Sequence, residues 1–250
     1  RIQFSLKPNW KKDMVVKLAA GAYHQPPFYR ELRSFNGTVN TQVLAQKSYQ
    51  AVAGVDYNFK GFGNRPFRLS TEAYYKSMSS VDVYDIDNVK IRYAGNNNAK
   101  AYATGFEARL FGELVKDAES WFSIGIMQTK EDLDNDFYYQ YKNAAGEIIN
   151  AQSSDQVAVD SIKNNVGFVR RPTDRLITAG LYLEDYLTTN KNFKFHLNML
   201  YGSNMSYNIP NSTKYRNALV IEPYIRVDAG FSAQLLSEKS KRRSHSPFRS

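Results

Sequence analysis

"NFKFHLNMLYGSN", residues 192–204, sets Phe193, Phe195, Leu197, Met199 and Tyr201 against Lys194, His196, Asn198 and Gly202. A period of two puts successive side chains on opposite sides of an extended chain, so this is a strand with one apolar and one polar face. In a soluble sandwich the apolar face meets a second sheet. In an outer-membrane barrel it meets lipid, and the polar face lines the interior.

The pattern recurs along the chain. It opens in "RIQFSLKP" (1–8) with Ile2, Phe4 and Leu6 alternating with Arg1, Gln3, Ser5 and Lys7. It returns in "DMVVKLAAGAY" (13–23), "KSYQAVAGVDYNF" (47–59), "FRLSTEAYYK" (67–76), "AYATGFEARLF" (101–111), "WFSIGIMQT" (121–129), "RLITAGLYLE" (175–184) and "LVIEPYIRVDAGFSAQL" (219–235). That makes about nine strands, most near the roughly 9 to 11 residues that cross a bilayer at a tilt. Sandwich strands run nearer 5 or 6.

The connections separate the two readings. Links at 7–13, 60–66, 112–120 and 187–192 are short, whereas those at 24–42, 79–98, 131–171 and 206–217 are long. Every second link is long, the asymmetry of a barrel with short periplasmic turns and long extracellular loops. A compact soluble domain seldom carries loops beyond about 15 residues. The expected fold is therefore all-β, an antiparallel transmembrane β-barrel segment in the outer membrane of a Gram-negative bacterium. The alternatives are a soluble, aromatic-rich, carbohydrate-binding β-sandwich and a passive porin.

Composition agrees. The hydrophobic fraction of 42% and mean hydropathy of −0.53 fit a barrel whose lumen and loops are polar. No apolar run reaches the roughly 18 residues of a transmembrane helix. Tyr (18) and Phe (15) are abundant beside two Trp, as in sheets and interfacial aromatic girdles. The absence of cysteine excludes a disulfide framework, thiol chemistry and Cys-based metal sites. A net charge of +9 comes without a recognition helix, an RNP-type motif or a basic stripe, so no nucleic-acid partner is expected. With no initiator Met and no signal peptide, the chain reads as an internal fragment.

On the polar face Glu72, Glu107, Arg109, Lys194, His196, Arg226 and Asp228 point inward. Such charges exclude a dry core; water or a polar plug fills the interior.

"LAAGAYHQPPFYRELR", "LAQKSYQAVAGVDYNF" and "LSTEAYYKSMSSVDVYD" carry a family likeness. So do Gln25-Pro26-Pro27 at a strand top, Lys47-Ser48-Tyr49 ahead of Gly54-Val55-Asp56-Tyr57, and Gly105-Phe106-Glu107 in "AKAYATGFEARL". In their order these resemble TonB-dependent outer-membrane receptors of Bacteroidetes-type bacteria, across nearly the whole chain. The resemblance implies a barrel of roughly 22 strands around a plug, of which residues 1–250 are a partial barrel domain from the C-terminal half, without plug, TonB box or closing strands. It implies active import of a scarce ligand (a metal chelate, vitamin or oligosaccharide) with energy from the TonB complex. The implied partners are that complex, the protein's own plug domain, the imported ligand, outer-membrane lipid and a surface lipoprotein.

No catalytic residue, cofactor or metal is expected. His24, His196 and His245 adjoin no nucleophile motif. Asp132, Asp134 and Asp136 imitate an EF-hand start, but Phe137 occupies the glycine position. "GFG" (61–63) is a turn, and the Asn36, Asn204 and Asn211 sequons carry no weight in a bacterial outer membrane. Lys239, Lys241, Arg242 and Arg243 fall where a periplasmic turn is expected. The resemblance further implies that ligand capture belongs to loop residues near the barrel mouth, where His24, Gln25, Tyr29, Arg30, Tyr84, Tyr93, Arg170 and Arg171 combine aromatic surface with hydrogen-bond donors.

Overall fold

A computed structural model describes residues 1–87, 90–172, 174–186, 192–209 and 212–234. Lys239, Lys241, Arg242, Arg243 and His245, the Asn211 sequon, Leu235 and most of the 187–192 link lie outside these residues.

The described residues form β1 (Ile2–Leu6), β2 (Asp13–Gln25), β3 (Gln46–Lys60), β4 (Pro66–Val81), β5 (Tyr84–Asp87), β6 (Lys90–Tyr93), β7 (Ala99–Val115) and β8 (Ala118–Leu133). There follow β9 (Phe137–Lys142), β10 (Asp160–Asn165), β11 (Val169–Arg170), β12 (Ile177–Tyr186), β13 (Phe193–Gly202), β14 (Met205–Tyr207), β15 (Leu219–Ile221) and β16 (Tyr224–Ala233). No α-helix occurs among them.

The main sheet runs β1-β2-β3-β4-β7-β8-β12-β13-β16, antiparallel throughout, with β11 added beside β8. Among the described residues it is open, with β1 and β16 as its edges. The short links at 7–12, 61–65, 116–117 and 187–192 all join neighbouring strands at one end of the sheet, and the long links leave from the other.

The period of two survives pairing because the register keeps like residues in rows. One apolar row crosses nine strands: Leu6, Val16, Val55, Thr71, Ala108, Ile124, Ala179, Tyr201 and Ile225. A row on the opposite face runs Asp56, Ser70, Arg109, Ser123, Gly180, Leu200 and Arg226, where Leu200 is an apolar exception.

Two features differ from the sequence expectation. Several strands are longer than the expected crossing length, 15 residues in β3, 16 in β4 and β8 and 17 in β7. The long links, read from sequence as loops, hold antiparallel hairpins of their own: β5–β6, β9–β10 and β14–β15.

Among the described residues no interior core lies against the sheet. Among the described residues the buried hydrophobics are Val43, Phe67, Val81, Val83, Ala99, Ala101 and Ala118. Four of them, Val81, Val83, Ala99 and Ala101, cluster with Met78, Ala94 and Leu133 at the long-link edge. The accessible surface is 17428 Å² for 28.6 kDa, against roughly 11,000 Å² for a compact soluble monomer of that mass. The excess fits a sheet whose faces are uncovered.

Candidate functional site

Three surfaces carry the chemistry: the two faces of the main sheet and the crown of long links.

The apolar face is bounded by aromatic groups at both ends. At the short-link end Tyr57, Phe59, Phe67 and Phe62 form a chain of rings with centroids 5.2, 5.7 and 6.2 Å apart, and Lys12 Nζ lies 5.9 Å from the Tyr57 ring. On β13 and β16 the Phe195 and Phe231 rings meet at 5.4 Å. At the long-link end Tyr75 stacks on Tyr102 at 6.4 Å, and Tyr102 meets Phe168 edge-on at 5.3 Å. Between these ends the face carries no charged side chain on β1, β2, β3, β4, β7, β8, β13 or β16. Charges return beyond the outer rings, where Lys100 pairs with Asp132 at 3.2 Å. The exposed positions on this face include Tyr49 (63%) and Phe231 (72%).

The opposite face is organised by ion pairs. Asp56 is buried; its Oδ2 accepts from Lys17 Nζ and, at 2.7 Å, from Arg68, while Ser70 Oγ donates to Oδ1 at 2.7 Å. Lys194 Nζ donates to Glu184 at 3.0 Å, and Tyr182 Oη donates to the same carboxylate at 3.1 Å. The His196 ring stacks near Tyr182, which stacks on Trp121. Arg109 and Glu107 stand 3.9 Å apart and Arg226 and Asp228 2.8 Å apart. All seven residues expected to face inward, Glu72, Glu107, Arg109, Lys194, His196, Arg226 and Asp228, therefore lie on this face.

Large side chains here lie flat over glycines. A Cβ at Gly105 would stand 2.6 Å from Tyr74 Oη and 2.8 Å from the Ile126 carbonyl oxygen, so only glycine admits the Tyr74 ring.

The crown knits the long links together. Tyr84 Oη donates to the Pro172 carbonyl at 3.1 Å, Ser206 Oγ to the Arg171 carbonyl at 2.6 Å, and Asn208 to Asp85 at 3.0 Å. Asn40 donates to the Gly95 carbonyl at 2.9 Å. At its centre Glu131, 1% exposed, takes Arg171 Nε at 3.0 Å on one oxygen and Arg216 at 3.2 Å on the other. Asp82 is also buried; Asn96 N donates to Oδ1 at 3.1 Å, and Oδ2 has no partner among the described residues. Loss of hydration pushes the Asp82 pKa up to about 6 against backbone hydrogen bonds from Asn96 and Gly95, with the Glu31 charge adding to the rise.

Four of the loop candidates fall in one row: Arg30 stands over the Tyr93 ring at 5.9 Å, Tyr93 meets Tyr84 at 5.8 Å, and Arg171 stands over Tyr84 at 5.6 Å. Tyr29 sits beside them under Arg33, 5.8 Å from ring to guanidinium. The other three lie apart. Arg170 is held by Asp174 at 2.9 Å. His24 and Gln25 end β2 opposite Lys47 and Gln46.

Sequence reasoning did not single out Glu131, Arg216, Asp82, Asp174 or the Asp56 cluster. Their signal is the register and loop packing that bring distant residues together, which no local period carries. Among the described residues no group of three or more His, Asp or Glu side chains is placed to hold a metal ion. No protein-family model matches the chain, and no curated protein matches it.

Proposed function

We propose that the chain is wall and crown of an outer-membrane active-transport receptor, a non-enzymatic TonB-dependent importer of a scarce metal chelate, vitamin or oligosaccharide. The observation that carries this reading is an outer face uncharged between its bounding aromatic rings, with Asp185 only at the Phe195 row, set against a charged opposite face on the same strands. From Tyr49 to Phe59 on β3 the chain rises about 33 Å at ~3.3 Å per residue. A tilt of about 40° turns that into roughly 25 Å of height, the apolar band of an outer-membrane barrel. In this reading the missing neighbours of β1 and β16 are further strands of the barrel. The charges of the inner face meet luminal water or the plug, and the crown captures the ligand above them.

Fractionation of the full-length gene product tests the membrane half of the proposal. Recovery with the outer membrane, released only by detergent, is the expected result; recovery in the soluble fraction without detergent overturns it. Uptake in cells tests the transport half. Import that stops when the proton-motive force is collapsed is expected, and import indifferent to that collapse assigns a passive porin instead.

A further inference from the structure

A cleft of about 340 Å³ opens in the crown between the first long link and the β5–β6 hairpin, lined by Arg30, Arg33, Phe35, Ile91, Arg92 and Tyr93 among others, none of them acidic. The geometry points to this cleft as a binding site for an anion, a carboxylate or phosphate group carried on a small apolar body. The assignment rests on the receptor reading above and adds the chemical class of its ligand.

Arg30 and Arg33 are presented by hydrogen-bonded turns. The turn that carries them is capped by Glu31, whose carboxylate accepts Phe28 N at 2.7 Å, while Glu31 N donates to the Phe28 carbonyl at 2.9 Å. Beyond Arg33, a second turn is closed by Gly37 N on the Ser34 carbonyl at 2.9 Å and Ser34 N on the Thr38 carbonyl at 3.0 Å. Gly37 takes φ +86°, a conformation glycine adopts without strain. The opposite wall is tied on by Arg92, which donates to the Phe35 carbonyl at 2.7 Å.

Neither Arg30 nor Arg33 has a carboxylate within ion-pair distance among the described residues, in contrast to Arg170, Arg171 and Arg216 elsewhere in the crown. Each instead lies over an aromatic ring, Tyr93 and Tyr29 respectively. Arg33 also donates from one N–H to Tyr29 Oη at 3.5 Å; the remaining guanidinium N–H groups match the two oxygens of a carboxylate or phosphate. Phe35, Ile91 and Tyr93 supply apolar wall for the rest of the molecule. The shared chemistry is an oxyanion, either on a free ligand or on a lipid headgroup.

The test uses full-length protein and the double variant Arg30→Gln/Arg33→Gln, with folding of each checked by heat-modifiable migration on gels. In the first arm, succinate and inorganic phosphate are titrated calorimetrically into detergent-solubilised protein. In the second, retention of phosphatidylglycerol over phosphatidylcholine is read in nanodiscs. Saturable succinate or phosphate binding, weakened roughly tenfold or more in the double variant, is the expected result and assigns a free anion. Arginine-dependent retention of phosphatidylglycerol without anion heat assigns a headgroup phosphate. Arg30→Lys/Arg33→Lys, which keeps the charge and loses the planar fork, falls between wild type and the Gln variant. Absence of saturable binding in both arms, or binding equal in wild type and folded Gln variant, overturns the site. Because neither arm requires an energised membrane, such a failure leaves the transport proposal to its own uptake test.

Discussion

The two faces of the main sheet obey opposite rules on the same strands. On β3, Tyr49, Ala51 and Ala53 are exposed, while Gln50 between them and Gly54 and Asp56 beyond them are partly or fully covered. A soluble protein places the apolar set inside because water excludes it. Here the carboxylates of the polar set are sheltered by their own partners: Asp56 under Lys17, Arg68 and Ser70, and Glu184 under Lys194 and Tyr182. An apolar face that lies open while charges pair on the other side calls for an apolar covering, lipid or a further protein layer, and the proposal above takes it to be lipid. That is the physical content of the proposed membrane assignment.

The crown obeys a third rule, and it offers the largest effect by which to test the contrast. Glu131→Gln removes the buried carboxylate shared by the half-buried Arg171 and Arg216, leaving Arg216, among the described residues, only the longer contact to Asp136 at 3.9 Å, and breaking such a buried pair costs about 3–5 kcal/mol. Denaturant titration of the reconstituted full-length protein measures this. A loss near zero would mean that the crown is solvated and loosely packed rather than locked.

Next in size is the difference between neighbours on β13. Leu197→Arg puts a charge near the middle of the proposed bilayer and costs about 2–4 kcal/mol, while Asn198→Arg reaches the lumen at little cost. Folding titrations into lipid vesicles read both, and equal destabilisation would remove the distinction between the faces.

Asp82 gives a pH signature confined to the crown. Its folded pKa, about 6, stands above the usual carboxylate value, so its ionised form opposes folding at neutral pH. That opposition is full above the folded pKa and fades as pH falls through 6 towards ~4. The two-unit rise corresponds to on the order of 2–3 kcal/mol. Crown amides followed by hydrogen exchange therefore gain protection as pH falls through this window, after correction for intrinsic exchange rates. Asp82→Asn gains the same protection at pH 7.5 and loses the pH dependence. An unchanged wild-type profile in the Asn variant would remove Asp82 as the cause.

The smallest effect tests the packing of the inner face. Gly105→Ala forces the Tyr74 ring and the Ile126 carbonyl aside and costs about 1–2 kcal/mol. The double substitution with Tyr74→Ala recovers part of that loss, because the ring that clashed is gone. A double mutant whose loss equals the sum of the singles would show that the ring does not lie over Gly105.

The sheet was legible in sequence because its organising signal is local. Phe193 to Tyr201, Tyr49 to Phe59 and Ile225 to Phe231 each carry the two-residue period within one segment, and the alternating link lengths fix which strand ends meet. The crown was legible only in part. Tyr84 and Tyr93 face each other because β5 and β6 form a hairpin, yet "VDVYDIDNVKIRY" alternates too briefly to separate a hairpin from a loop. Glu131 meets Arg171, 40 residues on, and Arg216 of the next long link, a contact set by tertiary packing that no local spacing in the chain encodes. For the same reason Arg30 was read as a ligand residue and its neighbour in the cleft, Arg33, was not.

The central claim is that odd-numbered residues of β13 meet lipid and even-numbered ones meet water. The chain has no cysteine, so single spin labels at positions 193 to 201 of the reconstituted full-length protein, with any cysteine elsewhere in it replaced by serine, report each site alone. Oxygen, which partitions into lipid, should relax the labels at Phe195, Leu197 and Met199, and a water-soluble nickel chelate those at Lys194, His196 and Asn198, with a period of two between the reagents. A nickel chelate that reaches Leu197 as readily as Asn198 would contradict the account.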